Sequence, residues 1–212
     1  MIRALLLSWD FRIEVLIVLG LAAVVYLRGW LRLRALPQSP RGSATQPQRR
    51  PLAANWRLAT YWAGLLTVGI SLMSPIDVLS GQLFSMHMTQ HLLLTMVAVP
   101  LLLIGNPFPV LMWGLPRRAR RPASALLSEG SRLRRPLAVA TSPGIVWLLY
   151  VIGLIAWHDP LLYGLALRNQ FVHDLQHLTF FVTTLLLWWH ILGVAPRLHR
   201  SLSTGQRIIY TI

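Results

Sequence analysis

The chain has 212 residues, 55% of them hydrophobic and only 12% charged, and its mean hydropathy is +0.55. A soluble domain carries roughly twice that share of charge, so the composition excludes an ordinary soluble globule and points to an integral membrane protein. The formal net charge of +14 comes from 20 arginines, no lysine and six acids. Those arginines fall in short clusters between apolar stretches, the loop bias of membrane proteins, which accounts for the charge with no nucleic acid partner. With no cysteine, disulfides, thiolate metal sites and cysteine nucleophiles are excluded as well.

Taken in chain order, the pattern predicts an all-α, polytopic transmembrane bundle in a single domain, residues 1–212, with five helices and the start of a sixth. The first apolar run, Ile13 to Leu27, leads straight into arginines with no small-x-small cleavage site before them. It reads as a spanning helix over about 11–30 rather than a cleaved signal. Residues 31–53, rich in Pro, Gln, Ser and Arg, read as a flexible cytoplasmic linker. The second helix covers about 54–73 and is closed by Ser74-Pro75. The third covers about 83–104 and ends at Gly105-Asn106-Pro107, with Pro100 placed to kink its last turn. A basic cytoplasmic loop, 105–138, follows with "RRARR" and "RLRRP"; its opening, Phe108 to Leu115, reads as a short interfacial helix. The fourth helix covers about 139–157, with Ser142-Pro143 as an N-cap and N1 pair. A short amphipathic stretch, 159–169, leads to the fifth helix at 170–192, where Trp188, Trp189 and His190 read as an aromatic belt. The sixth starts near 206, and "QRIIYTI" is only the opening of an apolar segment, so the chain reads as truncated.

Loop arginines set the orientation. Arg32, Arg34, Arg41, Arg49 and Arg50 lie between helices one and two, and none lies between two and three. Seven lie between three and four, only Arg168 between four and five, and Arg197, Arg200 and Arg207 after five. This alternation predicts an N-terminus outside and basic loops in the cytoplasm.

On that map, five of the seven histidines fall in one outer layer. His87 and His91 open helix three, His158 closes helix four, and His173 and His177 open helix five. Asp77, Asp159 and Asp174 fall in or near the same layer. Residues i and i+4 share a helix face, about 6 Å apart along the axis, so each pair can hold one metal from one helix. Two facing pairs supply four nitrogens, His158 a fifth, and Asp159 and Asp174 are placed to accept the second ring N–H. Asp77 reads equally as a helix cap or as lining of the outer vestibule. A lone histidine would read as an interhelical hydrogen bonder, but two pairs and a fifth at one depth read as a metal site. Imidazole suits Zn, Cu, Fe and Ni, and thioether favours Cu(I). Met86 and Met88 flank His87 about 100° to either side, so at most one faces the site, and packing is the simpler reading for both. Copper ion is therefore the first choice, with zinc, iron and haem left open. A permease would need polar residues through the midplane, where helices three to five offer only Thr95, Thr183 and Thr184.

"SPIDVLSGQLFSMHMTQHLLLTMVAVPLLLIGNP" and "WHDPLLYGLALRNQFVHDLQHLTFFVTTLLLWWHIL" resemble the two signature regions of the CtaG family of caa(3)-type cytochrome c oxidase assembly factors. The resemblance covers about residues 54–212, including both HxxxHL blocks and the Trp-His that closes helix four. It implies a bundle of about seven helices in the bacterial plasma membrane that assists maturation of a haem–copper oxidase at the copper-insertion stage. Oxidase subunits are then partners, alongside the lipid bilayer and a periplasmic copper donor. The matched histidines are His87, His91, His158, His173 and His177. No bond-making chemistry is required, so the expectation is that the protein is not an enzyme. The alternatives are a b-type haem-binding membrane protein and a metal-free assembly scaffold.

Overall fold

The computed structural model describes residues 8–36, 50–126, 128, 130–196, 198–200 and 202–211. Most of the linker expected at 31–53, with Arg41 and Arg49, lies outside the described residues, as do Arg197 and the last residue. Among the described residues there is no strand. Eleven helices follow in order: α1 Ile13–Ala35, α2 Asn55–Met73, α3 Pro75–Ser80, α4 Phe84–Ile104, α5 Pro107–Gly114, α6 Arg117–Leu126, α7 Arg134–Ala140, α8 Pro143–Trp157, α9 Pro160–Arg168, α10 Gln170–Leu192 and α11 Thr204–Thr211. The all-α class predicted from the pattern is what is found.

Three helices, α1, α4 and α10, are long and apolar enough to cross a membrane. The pair α7–α8, bent by 48°, makes a fourth if it is one span. The helix expected at 139–157 thus breaks at Thr141-Ser142, ahead of Pro143, whose ring clashes with the preceding turn and whose missing N–H cannot join the ladder. The second expected span, α2, is not among them. Asn55, Arg57 and Thr60 in its first turns dilute its apolar character.

Small residues let the first half of the bundle close. Gly29 of α1 and Gly114 of α5 bring the two backbones into contact: a Cβ on Gly29 would stand 1.9 Å from Val110 O, and one on Gly114 1.9 Å from Val25 O. Arg32 then donates to the carbonyls of Trp113 (2.9 Å) and Leu115 (3.2 Å), satisfying the exposed carbonyl end of α5. The stretch expected to lie at the interface is therefore packed, with Val110 fully buried. Tyr26 stacks on Tyr61 of α2, centroids 3.8 Å apart, and its hydroxyl donates to Gly105 O at 2.9 Å. This ties α1, α2 and the end of α4 together.

Helix α4 carries a wide π turn from Leu93 to Ala98. Pro100 lacks an N–H and its ring pushes the carbonyl of Met96 aside; the ladder answers with a wider turn instead of a sharp kink. The π turn begins two residues after His91. Apolar side chains of α1, among them Ile13, Ile17, Val18, Leu21 and Val24, point away from the bundle and are exposed, as expected of a lipid-facing helix.

Candidate metal centre

Two short helices deliver the histidine pairs. Ser74 ends α2 and caps α3, its Oγ accepting from Ile76 N at 3.2 Å with Pro75 at N1. The chain then turns into α4, which carries His87 and His91 in its first turns. On the other side, Asp159 caps α9 by accepting from Leu161 N (2.9 Å) and Leu162 N. Asn169 caps α10 by accepting from Phe171 N (2.9 Å) and Val172 N, and His173 and His177 follow at once.

The two pairs face each other. Ring centroids lie 4.5 Å apart for His87–His91 and 4.2 Å for His173–His177. Across the helices they lie 4.9 Å apart for His91–His177, 5.5 Å for His87–His173 and 6.5 Å for His87–His177. All four are buried, His87 completely. Tyr163 of α9 stands edge-on to His87 at 5.4 Å, and Phe180 covers His91 at 4.9 Å.

Hydrogen bonding leaves this cluster short of partners. His87 Nε2 and His91 Nε2 share one bond of 2.8 Å, in which one ring donates and the other accepts. Nδ1 of His87, Nδ1 of His91 and both nitrogens of His177 are buried without a partner. Such atoms are costly, and a bound ion is one of the few things that accounts for them. Among the described residues, however, no group of three or more His, Asp or Glu stands in a ready-made metal-binding arrangement. The rings are adjacent but not converged on one point.

His158 stands apart from the four. It is exposed at the end of α8, its Nδ1 bonded to Leu154 O at 2.7 Å, and its ring meets Phe180 at 6.4 Å, the same ring that covers His91. The carboxylates also differ from expectation. Asp159 is a helix cap, as the Asp-Pro pair dictates. Asp174 follows His173 by one residue, about 100° round the helix, and its hydrogen bonds go to side chains other than the imidazoles. It is gripped by Arg12, whose Nη1 and Nη2 donate to Oδ1 and Oδ2 at 2.8 and 2.7 Å, and by Gln170 Nε2 at 3.1 Å. The hydrogen bond to Asp174 pushes the Arg12 guanidinium above its already high range. The loop count of arginines passed over Arg12, which lies on the histidine side of the bundle and fastens the start of α1 to α10.

Asp77 is half-buried in α3. Burial raises its carboxyl above the ordinary range, tempered by the hydrogen bond its Oδ1 accepts from Gln90 Nε2. Gln90 also donates to Ser71 O at 2.9 Å. It is fully buried, as is Gln176, and the Oε1 of each has no partner. Sequence reasoning missed both glutamines, although "HMTQH" and "HDLQH" place one just before the second histidine of each pair. Met86 and Met88 are half-buried on the flanks of α4.

At the opposite end of α10 the expected aromatic belt is turned inward. Trp189 and His190 are buried; Trp189 Nε1 donates to Val194 O at 2.9 Å, and His190 Nε2 pairs with Thr141 O at 2.8 Å. His199 Nε2 pairs with the hydroxyl of Thr141 at 3.1 Å.

Fold and site together define a polytopic membrane protein with four buried imidazoles gathered from two of its helices. The chain belongs to the cytochrome c oxidase caa3 assembly factor (CtaG) family, whose model matches residues 24–212. Two uncharacterized mycobacterial proteins, one of Mycobacterium bovis and one of Mycobacterium tuberculosis, are each 26% identical to it over 148 residues. The match covers 66% of this chain but only 22% of each relative, so the chain spans a small part of the length of these relatives. No solved structure matches it.

Proposed function

We propose that this protein assists assembly of a haem–copper cytochrome c oxidase by holding copper at His87, His91, His173 and His177 and passing it to an oxidase subunit. The observation that carries the reading is the facing of two buried pairs with four ring nitrogens left unpartnered. Family membership supports the oxidase as the recipient. Copper is cargo here. Neutral imidazoles hold Cu(I) without burying extra negative charge, and a cysteine-free chain releases it without breaking a thiolate bond. In this reading, which the arginine alternation supports, the histidine mouth faces the periplasm of a bacterial plasma membrane and a periplasmic donor delivers copper there. Loading requires the His87–His91 hydrogen bond to open and the rings to converge. Transfer is ligand exchange, so the protein is a carrier and not an enzyme.

The geometry disfavours haem. The His87 and His177 rings stand 6.5 Å apart, and His91 and His173 each lie within 5.5 Å of both, which crowds the space a porphyrin between them would need. A metal-free scaffold is the second reading, favoured by the lack of a ready-made metal arrangement among the described residues. Metal analysis separates the two. Protein purified after anaerobic Cu(I) loading is expected to retain copper, and the His91→Ala, His177→Ala variant to lose it; equal copper in both contradicts the carrier reading. A deletion strain whose oxidase has a normal copper content contradicts the assembly role.

A further inference from the structure

The far end of α10 holds a second site of different chemistry. A pocket of about 730 Å³ opens there, lined by Trp189, His190, Leu192, His199, Arg200 and Arg207 among others. No carboxylate is among its described lining residues. His190 lies thirteen residues beyond His177, about 20 Å along the helix. Helix α10, with 23 residues, is about 34 Å long, close to the ~30 Å hydrocarbon thickness of a bilayer. A pocket at its last turn therefore falls at headgroup depth.

The walls are built rather than incidental. Gly193, in the left-handed region at φ 62°, ends α10 and turns the chain back. The Trp189 Nε1 bond to Val194 O fastens that turn. Thr141, at the bend between α7 and α8, fixes both histidine rings through Nε2. Arg207 is aimed by its Nε donating to Leu202 O at 3.0 Å, and it lies beside Gly193. The lining thus combines apolar side chains, Leu192 and the indole of Trp189, with two guanidiniums and two imidazoles.

We propose that this pocket binds a phosphate-bearing anion, with Arg200 and Arg207 as the charge partners and Trp189 and Leu192 as the apolar lining. The guanidinium fork matches phosphate oxygens, and the mixed polarity at headgroup depth fits an anionic phospholipid, whose phosphodiester adjoins apolar chain. The inference is independent of copper.

The test uses the full chain in nanodiscs and native mass spectrometry of what it retains on release. Wild type is expected to keep phosphatidylglycerol in preference to phosphatidylcholine. Retention should fall about fivefold for each arginine removed in Arg200→Gln and the Arg200→Gln, Arg207→Gln variant. The Arg200→Lys, Arg207→Lys variant, which keeps the charge, should recover most of it. Since Arg200 is exposed, the single variant reads the charge without disturbing the fold. A second arm measures inorganic phosphate binding in phosphatidylcholine nanodiscs. Arginine-dependent binding of phosphate without lipid preference assigns the same site to a soluble phosphate. Anionic lipid and phosphate bound equally by wild type and both glutamine variants would overturn the proposal.

Discussion

The seven histidines divide into two groups by what their ring nitrogens touch. His158, His190 and His199 each have a settled partner: Leu154 O for the first, Thr141 O and Oγ1 for the other two. His87, His91 and His177 lie among other imidazoles and keep buried nitrogens with no partner at all, and His173 packs against two of them. Burial alone does not separate the groups, since His190 is as buried as His177. Satisfaction does. A buried histidine that donates to a carbonyl is part of the scaffold, whereas a group of histidines whose buried ring nitrogens meet one another or nothing is short of something to bind.

That contrast can be broken most forcefully by copper retention. The His91→Ala, His177→Ala variant should weaken copper binding by more than the roughly 10–100-fold that loss of an outer partner costs a metal site. His190→Ala with His199→Ala should leave binding within error by the same competition assay. Equal losses would erase the distinction between the two groups. Next in size is Gln90→Leu, which strips Ser71 O and Asp77 of their donor. It should cost about 1–3 kcal/mol in unfolding free energy, measured by denaturant melts of detergent-solubilised protein. A double-mutant cycle on Arg12→Gln and Asp174→Asn should return a coupling near 1 kcal/mol, since the pair is bidentate but partly exposed. Zero coupling would detach α1 from the histidine side.

Smaller still is the Asp77 effect. Its folded carboxyl is raised above the ordinary value by burial, so the fold binds that proton more tightly than the unfolded chain. Stability contributed in acid is then lost as pH rises from the ordinary carboxylate range through the raised folded value. Asp77→Asn keeps the acceptor for Gln90 and should flatten this slope in thermal melts at stepped pH. Last, His158→Ala should change copper content by less than any cluster variant, because its ring is exposed and already tethered.

Much of the molecule could be read before its coordinates. Apolar runs mark every long helix, Ser74-Pro75 and Asp159-Pro160 mark short ones, and the i, i+4 spacing puts each histidine pair on one face. That His91 meets His177 could not be read, because helix pairing depends on tertiary packing. Nor could the π turn after His91 be distinguished from the kink that Pro100 suggested, since the same missing N–H permits either. Nor could the partner of Asp174 be read, because Arg12 reaches it from the opposite end of the chain. Arg12 was passed over as one charge at a terminus. Gln90 and Gln176 were legible in the shared HxxQH pattern, and only their full burial gave the pattern weight.

Extended X-ray absorption at the copper edge of anaerobically loaded, purified protein tests the central claim most directly. Imidazole nitrogens at about 2.0 Å, with the outer-shell scattering of the rings and no sulfur at about 2.3 Å, are the predicted result. Loss of that imidazole signal should follow in the His91→Ala, His177→Ala variant. Copper held by sulfur from Met86 or Met88, or an imidazole signal that survives in that variant, would contradict a site built from the four facing histidines.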